Sequence, residues 1–112
     1  MERTNMYLDC IAACQECAAE CYSCANSCLQ EADVNHLKKC ISLDLECAAI
    51  CSAAVSVMSL HGEMSAQFCD LCAQICDRCA QECARHSHME HCRRCAEKCQ
   101  ECANACREMA VA

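Results

Sequence analysis

The stretch Cys69-Asp-Leu-Cys72-Ala-Gln-Ile-Cys76-Asp-Arg-Cys79-Ala-Gln-Glu-Cys83 decides the fold. Its cysteines are separated by alternating steps of three and four residues. On an α-helix of 3.6 residues per turn, those steps return to one face and draw a single stripe. On a β-strand the same spacing would scatter them over both faces. Ala, Gln, Glu and Arg fill the gaps and are good helix formers. The same alternation runs through Cys10, Cys14, Cys17, Cys21, Cys24, Cys28 and through Cys92, Cys95, Cys99, Cys102, Cys106. A Cys-Ala-x-x-Cys unit recurs, starting at Cys17, Cys24, Cys47, Cys72, Cys79, Cys95 and Cys102. Inward stripes of this kind occupy the a and d positions of a helical bundle.

Breaks in the stripes mark the turns. Asp33 reads as an N-cap after the first helix, Gly62 as a helix stop, and Ser87-His-Met-Glu90 as a capping box. Four helices follow, near 4–29, 33–60, 64–85 and 87–109. Their short connections make neighbours antiparallel. The expected fold is all-α, an up-down-up-down four-helix bundle with a cysteine-lined core, one domain over 1–112. The second helix deviates, with a stripe read as His36, Cys40, Leu43, Cys47, Cys51, Ala54, Met58.

The 112 residues include 19 Cys, two Tyr, one Phe, no Trp, no Pro and one Gly. A core drawn from Cys and Ala is thin, and small scaffolds of this sort depend on disulfides, metals or association. A secreted disulfide framework is disfavoured, because the cysteine number is odd and such frameworks are loop-rich. The N-terminal run to Cys10 also has no apolar h-region. The expected compartment is therefore the cytosol, with reduced thiols. Ala48–Leu60 is too short and interrupted to span a membrane. The formal charge of −7 disfavours nucleic acid and anionic membrane surfaces.

Cysteine is also a small hydrophobe that likes burial. Nineteen in register are not explained that way, since Leu, Ile or Ala would pack the seam without oxidation risk. The six Cys-x-x-Cys pairs are by-products of the stripe, and no βαβ pattern accompanies them as in a thiol redox enzyme. Zn²⁺ takes about four thiolates per structural site, so nineteen thiolates would fill about five sites and leave about nine buried charges uncompensated. A soft monovalent ion at about one per thiolate leaves the core near neutral, and Cu(I) is that ion. Eight i,i+4 pairs can clamp it: 10/14, 17/21, 24/28, 47/51, 72/76, 79/83, 95/99 and 102/106. Cys40, Cys69 and Cys92 remain to bridge between helices. The alternatives are a structural zinc or iron–sulfur protein and a thiol redox buffer.

Taken together, the inward Cys-x-x-x-Cys repeats on four antiparallel helices resemble the cytosolic type of bacterial copper storage protein. The resemblance covers essentially the whole chain. It implies a homotetramer of bundles, each holding many Cu(I) ions. The expected role is binding and storage rather than catalysis, with copper ions and copper donor or acceptor proteins as partners.

Antiparallel packing sorts the other soft ligands to the two ends. His36, His86 and His88 continue three stripes at one end, where neutral imidazole can pass Cu(I) inward. Met6, Met58 and Met109 gather at the other as an apolar plug. His61 and His91 read as solvated helix termini. The resemblance likewise implies that the His-bearing end is the mouth. Because most of the chain favours helix without any metal, far-UV circular dichroism of the reduced, metal-free protein is expected to show a helical spectrum. A random-coil spectrum would mean that the core is not preformed.

Overall fold

In the computed structural model, which describes residues 2–111, the cysteine stripes become four helices: α1 (Glu2–Leu29), α2 (Lys38–Ser59), α3 (Ser65–Ala84) and α4 (Glu90–Ala110). A 3₁₀ turn, Val34–Leu37, leads into α2. The helices form a rod of 48 × 18 × 17 Å. Each packs on its sequence neighbours, and α4 closes on α1. This is the expected up-down-up-down bundle. All nineteen cysteines are buried on its axis, with Leu37, Met58, Met109 and a few alanines.

The α2 stripe differs from the expected one at two places. Leu37 is buried while His36 is exposed, because the chain there is 3₁₀ and its tighter winding rotates His36 off the stripe. Further along, Asp44 is fully buried while Leu43 is half-buried. The step from Cys40 is thus four, then three to Cys47, the alternation that the other helices follow. The segment Val34–Ser59 is long and apolar enough to cross a membrane, with a hydropathy of 1.7, and it exceeds the 48–60 stretch read from the sequence. In the bundle it lies between α1 and α3 with its cysteine stripe covered.

The turns also refine the sequence reading. Asp33 precedes the 3₁₀ turn but its side chain makes no cap hydrogen bond. Ser87 lies in a turn, and α4 begins at Glu90 after an extended Met89, so no capping box forms. At the end of α2 the left-handed residue is His61, with φ of 53°, not Gly62. The His61 N–H donates to the Met58 carbonyl at 3.0 Å and the Gly62 N–H to the Val57 carbonyl at 2.9 Å. Those two bonds are a Schellman closure with histidine in the place glycine usually takes. The His61 ring meets Tyr7 edge-on at 6.0 Å, at the Met end.

Gly62 serves a different need. A Cβ on it would stand 3.0 Å from Val57 Cγ1 and 3.1 Å from the Val57 carbonyl oxygen. Gly62→Ala is therefore expected to destabilise the metal-free bundle by about 1 kcal/mol through overpacking. Thermal unfolding of the two proteins checks this, and an unchanged midpoint would show that the turn relaxes freely.

Candidate metal centre

The sulfur column is built in layers, one residue from each helix. Starting at the Met end, Cys10, Cys69 and Cys106 share a layer with Ala54. Cys14, Cys51, Cys72 and Cys102 form the next, with ligand atoms all within 4.8 Å of one another. Cys17, Cys47, Cys76 and Cys99 follow. The fourth layer holds Cys21, Cys79, Cys95 and Asp44, and the fifth Cys24, Cys40, Cys83 and Cys92. Cys28 stands above them at the His end.

Sulfurs approach closest across helices, at 3.5 Å for both Cys40–Cys83 and Cys47–Cys76. Of the i,i+4 pairs, 24/28, 72/76 and 95/99 lie at 3.9 Å, and 79/83 and 102/106 at 4.0 Å. An ion in this column thus meets sulfur from its own helix and from the next. Cys40 and Cys92 do reach across helices, Cys92 to Cys24 and Cys28 at 3.9 Å each. Cys69 lies against the Met58 thioether at 3.6 Å. Several sulfurs belong to two four-membered groups: Cys17, Cys47 and Cys51 share one, and Cys17, Cys21, Cys47 and Cys99 another. Shared sulfurs call for bridging thiolates.

The His end is arranged differently from the sequence expectation. His91 is the histidine that faces sulfur: its Nδ1 lies 3.5 Å from Cys92, 3.7 Å from Cys24 and 3.9 Å from Cys28. Its Nε2 lies 3.0 Å from Glu31 Oε2. A carboxylate only accepts, so Nε2 is the donor, and in the neutral ring the Nδ1 lone pair is left toward the thiols. His86 is held by Glu82, Nε2 to Oε2 at 3.0 Å, and Glu82 also meets Arg85 and Lys39. His36 and His88 are exposed. His88 precedes α4, so helical spacing to Cys92 does not apply to it. The signal for His91 was its step of four to Cys95. At the other end, Met58 and Met109 are buried and Met6 half-buried.

A sequence model of the copper storage protein family matches residues 3–111. The chain belongs to that family. A cytosolic copper storage protein from Streptomyces lividans, loaded with five coppers, superposes with a TM-score of 0.95. It is 40% identical, over 98% of this chain and 96% of that one. Cu(I)-bound BsCsp3 superposes with a TM-score of 0.89 at 43% identity, over 94% and 98% of the two chains. An uncharacterized cysteine-rich protein of Bacillus subtilis, YhjQ, is 46% identical over 62 residues, which is 55% of this chain and 57% of that protein.

In this copper storage family member, burial pushes the Cys28 thiol up to about 12 and raises Cys92 as well. Both thiols at the His end therefore hold their protons at neutral pH, and a bound cation must displace them. The stripe residue that the sequence reading missed is Asp44. Its Oδ1 accepts from Cys79, Cys83 and Cys95 at 3.2, 3.4 and 3.3 Å. Among the described residues, its Oδ2 has no hydrogen-bond partner. Burial first, then the neighbouring sulfurs of Cys95, Cys79 and Cys40, push its carboxyl to about 11.

The folded chain keeps the Asp44 proton, whereas an unfolded chain releases it above about pH 4. Its contribution to stability is therefore fully present in acid and declines as pH rises, by at most about 1.4 kcal/mol per pH unit. Asp44→Asn has no proton to lose. Relative to that variant, the metal-free native protein is expected to gain stability on going from about pH 8 to about pH 5. Parallel midpoints for the two proteins across that range would show that Asp44 is already ionised.

Proposed function

We propose that this chain is a single-domain, cytosolic Cu(I) store that holds its cargo on the nineteen buried thiolates. The observation that carries the reading is the column itself: every cysteine lies on the axis, and neighbouring sulfurs stand at 3.5–4.0 Å. That spacing suits a soft ion shared between two or three thiolates, and the shared sulfurs suit bridged clusters. Family membership supports the same reading, as do relatives described as loaded with copper. Storage asks for no catalytic group, and no enzymatic role is assigned. A thiol redox buffer needs accessible, low-pKa thiols; the cysteines here are at most 1% exposed.

The metal ligands in this reading are Cys10, Cys14, Cys17, Cys21, Cys24, Cys28, Cys40, Cys47, Cys51, Cys69, Cys72, Cys76, Cys79, Cys83, Cys92, Cys95, Cys99, Cys102 and Cys106. The His end is the entrance. His91 is its inner ligand, handing Cu(I) from Nδ1 to Cys24, Cys28 and Cys92, while His36, His86 and His88 stand at the rim. The opposite end is closed by Met58 and Met109. Homotetramer assembly completes the proposal, on the family resemblance.

Anaerobic Cu(I) titration of the reduced protein with elemental analysis is expected to reach about one ion per thiolate, of order 15–20 per chain. A tight plateau at four or five ions would instead indicate isolated tetrahedral sites and end the storage reading. His91→Ala is expected to slow loading at least severalfold while capacity stays within about one ion, because thiolates supply nearly all the ligands. Stopped-flow uptake from a Cu(I) chelate checks the entrance. Native-rate loading by that variant, with a slow Met58/Met109 variant, would place the entrance at the other end.

A further inference from the structure

Copper storage leaves the oxygen in the sulfur column unexplained. A cysteine at position 44 would continue the α2 stripe and complete the fourth layer in sulfur. Instead a fully buried carboxyl stands there, with one oxygen unpartnered and no Lys, Arg or His among its described hydrogen bonds and ion pairs. Burying such a group is costly, and it offers Cu(I) little, since that ion selects sulfur.

The positions of the donors fit a different ion. Around Zn²⁺, bonds of about 2.3 Å to sulfur and about 2.0 Å to oxygen set tetrahedral edges of roughly 3.5 Å for S···O and roughly 3.8 Å for S···S. Asp44 Oδ1 stands 3.2, 3.4 and 3.3 Å from the sulfurs of Cys79, Cys83 and Cys95. Cys79 and Cys83 are 4.0 Å apart. On these four of the six edges, the donors lie within a few tenths of an ångström of such a site. Three thiolates and a carboxylate around a divalent ion leave two negative charges, the same as an all-cysteine zinc site.

We propose that Asp44, Cys79, Cys83 and Cys95 form a site for one borderline divalent ion of the Zn²⁺ class, set within the Cu(I) column. The ion ties α2, α3 and α4 together between the fourth layer and the fifth, the layer that also holds the Cys24 and Cys92 sulfurs that His91 faces. It rests on the storage reading only for the ions around it, because its own four donors define it.

Two measurements on the full reduced chain test the proposal. Anaerobic Co²⁺ titration reads the donor set through the ligand-field bands, with Asp44→Cys as the all-sulfur reference. The native bands are expected at higher energy than those of the variant, and coincident spectra would overturn the oxygen ligand. Separately, native protein and Asp44→Ala are saturated with Cu(I) in the presence of excess Zn²⁺, desalted and analysed for both metals. Native protein is expected to keep about one Zn²⁺ per chain and the variant at least tenfold less. Equal zinc in both, or none in the native protein, overturns the site. A low copper count with Asp44-dependent zinc would remove the storage reading and leave this site standing.

Discussion

Everything in this bundle depends on bringing four helices close enough for their cysteines to touch. A sulfur at the end of one methylene reaches little beyond the helix surface, so contacts of 3.5–4.0 Å across helices need a rod only 17–18 Å thick. That closeness excludes bulky side chains from the axis, and Leu37, Met58 and Met109 therefore sit at its ends. It also limits the apolar area that folding can remove from water, since Cys and Ala bury far less than Leu or Phe. The metal-free fold thus rests on helix propensity and on many small contacts. Cations that bind the folded column add stability to it by linkage.

The polar groups near the axis are few, and each has a particular neighbour. Glu31 fixes the ring of His91 so that its bare nitrogen faces the thiols. Glu82, 6% exposed, gathers His86, Arg85 and Lys39 on the flank of the same end. His91 and His86 are therefore oriented by carboxylates from the turn after α1 and from α3. Among the described residues, the Met end, with its thioethers and an edge-on Tyr7–His61 pair, has no comparable arrangement. The difference between the ends comes from side chains outside the repeated unit.

Much of this was legible from the cysteine spacing, because a strict alternation of three and four leaves only one helical phase. The cysteine stripes of α1, α3 and α4 needed nothing more. The misreadings cluster where that alternation meets something else. At His36 a 3₁₀ turn changed the winding. At residues 43 and 44, hydrophobicity pointed to Leu43, while the periodicity pointed to Asp44. Near His88 a turn stood where a helix start was expected, and the phase passed to His91. At His61 and Gly62 the roles were exchanged, because a close approach to Val57 needs the missing side chain more than the left-handed residue does. In each case local geometry outweighed residue type.

A perfectly regular cysteine repeat carries an ambiguity of its own. If α1, α3 or α4 slid along the bundle by seven residues, about 10.5 Å, most sulfurs would again meet sulfurs. Packing alone would hardly distinguish the two alignments. On the axis, α2 breaks that translational degeneracy. Asp44 finds its three thiol donors in one alignment, Ala54 leaves its gap in one layer, and Met58 meets Cys69 in one place. Ion pairs between helices, Arg94 with Glu20 and Arg107 with Asp77, repeat the same choice on the surface. The helix poorest in cysteine is the vernier scale against which the other three are read.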